Sequence, residues 1–280
     1  MNKLGVAQLL DDDGLPLFSL RDINALPQPE KERIYAVMIP QMVFDRFGFS
    51  RDSFAAPQQY GGADNRIQFI CPPGLGLLHI EVRRRAADRD CIFFVELADT
   101  QFQQIELSFC IINDPDAPRF DIDRDSSGRD NCFATMRRNI PAEIAAMNAG
   151  LSPNQVRAGL KMFRDFFTRF ERFVATLGID IITAEPLSYS NAIRYEQYGF
   201  DYITGKQFML WISREFAPGG ELYRRLDGSS PFRQPGMEKT VRGRSWAIQD
   251  GILQRPWDGI KIYKTVGIHA GVDTFVDKIY

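Results

Sequence analysis

The stretch 152–200 constrains this chain more than any other part of it. Ser152-Pro153-Asn154-Gln155 supplies a capping hydroxyl, a proline at the first helical position and a Gln three residues after the Ser. That arrangement satisfies backbone N–H groups which a helix start otherwise leaves unpaired. Apolar residues then recur at 156, 160, 163, 167, 170, 174 and 177, with Phe166 and Phe173 widening the stripe and polar residues opposite it, up to Gly178. The spacing predicts one amphipathic helix over 153–177, about 37 Å long at 1.5 Å per residue. The run 179–184 reads as a strand closed by Glu185-Pro186. A short helix capped by Ser188 or Ser190 then runs through Tyr198 to Gly199.

A chain of 280 residues, 44% hydrophobic and 25% charged, is long enough for one large core or two modest ones, and its 22 Phe predict an aromatic-rich interior. A net charge of −2 gives no global attraction to phosphate backbones, so no nucleic-acid partner is expected. The clusters Arg83-Arg84-Arg85, Arg137-Arg138 and Arg224-Arg225 read as solvated faces. Cys71, Cys91, Cys110 and Cys132 are widely spaced, without a CxxC pair, and suit a reducing cytoplasm. The apolar stretch at 5–10 is too short for a signal peptide and no 18-residue apolar run exists, so neither secretion nor a membrane partner is expected.

Segments 66–71, 75–83, 91–97 and 104–112 are rich in β-branched and aromatic residues and are separated by turn residues, as in an antiparallel meander. Residues 78–83 alternate apolar and polar, so one face of that strand is solvated or lines a cleft. Residues 1–35 read as an arm, 34–49 as a strand or short helix leading to the Gly61-Gly62 loop, 141–149 as a short helix and 207–213 as a further strand. The expected fold class is α/β, in the α+β sense: a mixed, mostly antiparallel central sheet flanked by helices. The expected division is an N-terminal segment 1–60, a core 61–213 and an extension 214–280 that packs on the core or on a second copy in a homodimer.

Ala192-Ile193-Arg194-Tyr195-Glu196-Gln197-Tyr198-Gly199-Phe200, together with the order of meander, long helix, strand, short helix and strand, resembles the GNAT superfamily of N-acetyltransferases over roughly 66–213. That resemblance implies an acyl-CoA N-acyltransferase-like fold. The pantetheine arm of acetyl-CoA would lie between two parallel strands that splay apart, and its pyrophosphate would rest on the start of the long helix, where unpaired N–H groups attract anions. Gln155, Arg157 and Gly159 would occupy that place, although the second glycine of the family pattern is missing. Tyr195 matches the tyrosine that protonates the departing thiolate, and Asn191 stands near the position of the family's Asn, which here falls on Ser188. A carboxylate on a central strand, Glu96 or Glu106, would be the base that deprotonates a small-molecule or peptide amine acceptor. Plain packing of a helix end on a sheet explains Tyr195, Tyr198 and Phe200 equally well.

Asp121, Asp123 and Asp125 stand at alternate positions before Gly128 and offer hard oxygen ligands for Ca²⁺. The glycine is too late for an EF-hand loop and position 132 is Cys, so an aspartate-capped turn competes with that reading. His79 and Glu81 share a strand face and offer two ligands or an acid/base couple; a hydrogen-bonded structural histidine is the plainer alternative. Two functional readings therefore stand: an acyltransferase using acetyl-CoA, and a non-catalytic small-molecule or metal-binding module on the same architecture.

Overall fold

The computed structural model describes residues 4–55, 67–85, 87–131 and 137–275, and every structural statement below concerns these; Gly61-Gly62 and Cys132 lie outside them. Its strands are β1 (Ile67–Ile70), β2 (Leu77–Val82), β3 (Phe93–Asp99), β4 (Ile105–Ile112), β5 (Ile181–Ala184), β6 (Asp201–Thr204) and β7 (Lys261–Thr265). They form a seven-stranded sheet in the order β1-β2-β3-β4-β5-β7-β6. β4 and β5 run parallel, while the pairs β1–β2, β2–β3, β3–β4 and β6–β7 are antiparallel. The helices are α1 (Leu20–Asn24), α2 (Gln28–Ala36), α3 (Gln41–Phe47), α4 (Ile140–Asn148), α5 (Phe163–Thr176), α6 (Tyr189–Gln197), α7 (Lys206–Glu215), α8 (Glu221–Arg224) and α9 (Val241–Gln249). This is the mixed, mostly antiparallel α+β class that the sequence predicts. No helix among the described residues is long and apolar enough to cross a membrane.

The chain makes two compact units, residues 1–116, 159–184 and 264–268 forming one and 117–158, 185–263 and 269–280 the other. In the first, alternate residues of the meander are buried: Leu78, Ile80 and Val82 on β2, Phe93, Val95 and Leu97 on β3, Ile105 and Leu107 on β4. Helix α5 lies on this buried face, with Phe166 edge-on to Phe93 at 5.3 Å between ring centres. Tyr35 of α2 meets Phe173 of α5 at 5.9 Å.

The N-terminal segment is therefore core and not an arm. Leu20, Ile23, Tyr35, Met38 and Ile39 have no exposed surface, and each such side chain contributes roughly 1.5–3 kcal/mol of burial. Polar groups fix it in place. The Asp99 carboxylate accepts the Leu20 and Arg21 N–H groups at 3.0 and 2.9 Å, taking two donors that the start of α1 would otherwise leave unpaired. The Asn24 amide donates to the Leu75 and Leu77 carbonyls, both at 2.7 Å, and the Tyr35 hydroxyl donates to Asn24 Oδ1 at 2.6 Å.

Helix α5 begins at Phe163, not at 153. Asn154 and Lys161 have φ of 67° and 57°, left-handed values that a continuous right-handed helix cannot contain. Half of the predicted cap does form: the Ser152 N–H donates to Gln155 Oε1 at 2.8 Å, but it closes a local turn. Val156 spends its carbonyl on the Phe120 N–H at 2.9 Å, so tertiary partners outcompete propagation of the helix. From 163 onward the predicted stripe holds, with Phe166, Phe167, Phe170, Phe173 and Val174 buried.

The second unit packs Ile122, Ala146, Leu151, Phe232 and Trp246 together, the last two stacked at 5.3 Å, and Trp246 Nε1 donates to the Leu151 carbonyl at 2.8 Å. Residues 207–213 are helical, inside α7. Buried Met209, Ile212 and Phe216 recur at three and four residues, a helical period that overrides the β-propensity of the run. Residues 214–280 are not an appendage either: α8, α9 and β6–β7 pairing belong to this unit, while 264–268 complete the first.

Candidate functional site

The meander's second face is half open, and pairing partners show which residues share it. His79 on β2 stands opposite Ile70 on β1 and Glu96 on β3, and Glu96 in turn stands opposite Phe109 on β4. Glu81 stands opposite Phe94, Phe94 opposite Ile111, and Ala98 opposite Glu106. This face thus has an apolar floor of Phe94, Phe109 and Ile111, with three carboxylates and one imidazole set into it. His79 Nε2 lies 3.2 Å from Glu96 Oε2, each side chain about one-third exposed at 35% and 36%. The His79 ring lies 5.7 Å from Phe94, whose ring meets Phe109 edge-on at 6.2 Å. Arg83, just past the end of β2, pairs with Glu81.

Beside it the sheet changes direction. β4 registers with β5 at Ile105–Ile182 and Glu106–Thr183, then continues to Ile112, whereas β5 ends at Ala184. The β3–β4 register slips between Glu96 and Leu97, leaving Ser108 as an extra residue on β4; bulges of this kind re-aim side chains next to sites. The Ser108 hydroxyl donates to Glu106 Oε1 at 3.3 Å. Thr183, 1% exposed and directly beside Glu106, has no hydrogen-bond partner for its hydroxyl among the described residues.

The residues expected to cradle phosphate are placed differently from the prediction. Gln155 gives its side-chain oxygen to the Ser152 N–H, and the Arg157 guanidinium donates to the Ala117 carbonyl. Neither stands at a helix start. Gly159 passes so close to the end of β4 that a Cβ there would lie 2.9 Å from the Ile112 carbonyl oxygen. The true start of α5, at Met162, has no side-chain cap. Exposed Lys161 and Arg164 flank it, with no ion-pair partner among the described residues, while Asp165 in the first turn bonds to the Gln41 N–H and to Arg169.

In the second unit, Tyr195 lies half-buried on α6 against Phe200, ring centres 4.9 Å apart. The helix is capped by Ser188, whose Oγ accepts the Asn191 N–H at 3.3 Å, and the Asn191 side chain is exposed. Gly199 is obligatory: φ is 84°, and a Cβ would lie 2.8 Å from the His269 backbone. Asp121 and Asp123 are both held by Arg119, the latter at 2.8 Å. Asp125 turns back to accept the Ser127 hydroxyl at 2.6 Å and the Ser127 and Arg129 N–H groups at 2.9 and 3.1 Å. The Ser127 hydroxyl bond comes first among the causes that bring its carboxyl down to about 2. These bonds give the loop the geometry of an aspartate-capped turn; among the described residues no three His, Cys, Asp or Glu side chains are placed to share a metal ion.

The same unit carries an open cleft of about 610 Å³ lined by Phe208, Trp211, Arg225, Gln254 and Arg255 among others. Arg255 lies 3.7 Å over the Phe208 ring, with no ion-pair partner among the described residues, whereas Arg225 donates to the Ile252 carbonyl and to Gln254. The sequence offers little warning of it, since its walls come from α7, α8 and residues 253–255. The His79–Glu96 pair follows from the β2–β3 register, which sets Val82 opposite Phe93 and so position 79 opposite 96. Comparison with known protein families, curated proteins and solved structures finds no match for the chain.

Proposed function

We propose that the chain is an acyl-CoA-dependent N-acyltransferase that moves an acetyl group from acetyl-CoA to an amine. The observation that carries this reading is the parallel β4–β5 pair inside an otherwise antiparallel meander, bulged at Ser108 and left behind by β5 just past Glu106 and Thr183. A pantetheine arm needs such an opening between parallel strands, because its amides bond to exposed strand backbone. The uncapped start of α5, with Lys161 and Arg164 beside it, supplies donors and positive charge for the pyrophosphate in the same unit.

In this mechanism the amine nitrogen attacks the thioester carbonyl, the C–S bond breaks and the thiolate takes a proton. A carboxylate-bearing sheet face, with Glu96 and Glu106, draws the proton from the amine, and water supplies one to sulfur. The enzyme's main contribution is to hold the reactants in line, so no covalent intermediate is required. The test is thermal melting with acetyl-CoA: at one hundred times its dissociation constant the ligand stabilises by about 2.7 kcal/mol. An unchanged melt at millimolar acetyl-CoA overturns the reading.

A second reading, a non-catalytic binding module for a small aromatic anion, is favoured by the Arg255–Phe208–Trp211 cleft. Arginine stacked on an aromatic ring leaves its in-plane donors free for a carboxylate. A melt raised by benzoate-type ligands, lost in Arg255→Ala and accompanied by no response to acetyl-CoA, would select it.

A further inference from the structure

His79 is the one imidazole of the first unit, and the sequence couples it with its own-strand neighbour Glu81. The structure gives it another partner. Nε2 faces the Glu96 carboxylate at 3.2 Å, while Nδ1 has no partner among the described residues and the side chain is about one-third exposed, at 35%. A carboxylate against one ring nitrogen holds the proton there, which leaves the lone pair of the other nitrogen open to accept one; it also stabilises the imidazolium that results. That is the layout of an oriented base, and here it opens onto a surface and not into a core.

The surroundings specify what such a base would act on. The charged groups sharing its face are Glu96 on β3, Glu106 on β4 and, on its own strand, Glu81 paired with Arg83; β1 contributes the uncharged Gln68 and Ile70. With neutral imidazole the face carries a net excess of negative charge and attracts a cation. Its floor is aromatic and aliphatic, built from half-exposed Phe94, Phe109 and Ile111. A flat apolar body is buried favourably there, and its ammonium end is drawn to the carboxylates.

We propose that His79, oriented by Glu96, is the base of the acyl transfer, and that the acceptor is a primary amine carried on an aromatic or other apolar body. This rests on the acyltransferase reading above and deepens it: the amine proton passes to His79 Nδ1, and Glu96 becomes a positioning residue acting through the ring. The substrate ammonium gives one proton to Nδ1, and the freed nitrogen lone pair forms the C–N bond as the C–S bond of acetyl-CoA breaks. The amide nitrogen sheds its second proton, the thiolate leaves as the thiol, and His79 returns its proton to water. One ammonium and one thioester thus become one amide, one thiol and one released proton.

The experiment measures thiol release from acetyl-CoA with phenethylamine and with ethanolamine as acceptors, using wild type, His79→Gln, His79→Asn and Glu96→Gln, each first checked for an unchanged melt. The expected result is a kcat/KM at least tenfold higher for phenethylamine, roughly hundredfold lower kcat in both His79 variants, as for loss of a general base, and in Glu96→Gln a lower kcat together with a raised KM for the amine, because one of the carboxylates that draw the ammonium is gone. Imidazole ¹⁵N shifts provide a signature that a merely structural role would not move: the Nε2–H tautomer in wild type, a mixture in Glu96→Gln, with His269 unaffected. If acetyl-CoA raises the melt but the His79 variants keep wild-type kcat, or ethanolamine serves as well as phenethylamine, the inference falls alone. If acetyl-CoA leaves the melt unchanged, the acyltransferase reading falls and takes the base with it.

Discussion

Replacing Glu196 tests how the second unit holds its C-terminal residues. The side chain is 1% exposed, and among the bonds its oxygens accept, Oε1 takes those from the Tyr202 hydroxyl at 2.5 Å and the Thr274 hydroxyl at 2.6 Å, and Oε2 that from the Thr274 N–H at 3.0 Å. Glu196→Ala leaves all three donors in a buried site, and an unpaired buried donor costs about 1–3 kcal/mol. Water entering the vacated space satisfies part of them, which places the loss in the lower half of that range, about 3–6 kcal/mol for the three. Glu196→Gln behaves differently, because its oxygen can keep the Thr274 N–H while its NH₂ donates to the two hydroxyls, which accept as readily as they donate. Only the charge assistance is lost there, about 1–2 kcal/mol. Urea unfolding with a common slope measures both values, and amide exchange at Thr274 reports the local opening. Equal losses in the two variants, or an Ala variant within about 1 kcal/mol of the parent, would refute this account of the network.

Alkaline pH tests Tyr35 and Tyr202, whose pKa values are raised, by burial first, then by nearby Cys71 and Asp99 for Tyr35 and by the Glu196 charge for Tyr202. Raised folded values mean that their stability is complete below the ordinary phenol pKa of about 10 and is lost above it; in Tyr202→Phe the decline of melting temperature between pH 9 and 11, read by calorimetry, should flatten. Asp125 has the opposite sign: its lowered value gives stability present above the ordinary carboxyl range and lost as pH falls toward about 2, so Asp125→Asn should show a shallower acid limb in circular dichroism. Phe166→Ala empties a fully buried site among Phe93, Phe163 and Phe170 and should cost about 3–5 kcal/mol by denaturant titration. A loss under about 1 kcal/mol would show that α5 is not anchored there.

Local signals were legible wherever one interaction within a few residues decides the outcome. The Ser188 cap and the four strands of the meander fall within a few residues of their predicted places, because caps, turns and alternation act over short range. The helix start at 152 differs from the prediction for the same reason: proline, serine and glutamine do form their local turn, but Asn154 and Lys161 adopt left-handed backbone and the Val156 carbonyl goes to the Phe120 N–H, a partner that no local pattern reveals. Residues 1–35 look polar and proline-broken, yet Leu20, Ile23 and Tyr35 are buried because Asp99 and the Leu75 and Leu77 carbonyls meet the polar groups of that segment. In the candidate site, Glu96 and Glu106 could be nominated by strand position. The imidazole that stands against Glu96 required the β2–β3 register, which a single strand does not reveal.

The first unit is assembled from three separated stretches of sequence, and its last, 264–268, arrives after the whole of 185–263. During synthesis β5 is complete long before Val266 can donate to the Asp180 carbonyl, a bond of 2.9 Å. At ordinary elongation rates that interval is on the order of ten seconds. For that time the nascent chain presents an open strand edge, the form of β-structure most prone to pairing with a stranger. Cutting the gene into contiguous fragments reproduces that condition permanently, so expression trials that divide the chain at 116, 184 or 263 should give aggregated material, and holdase chaperones should be enriched on ribosomes stalled between those last two positions.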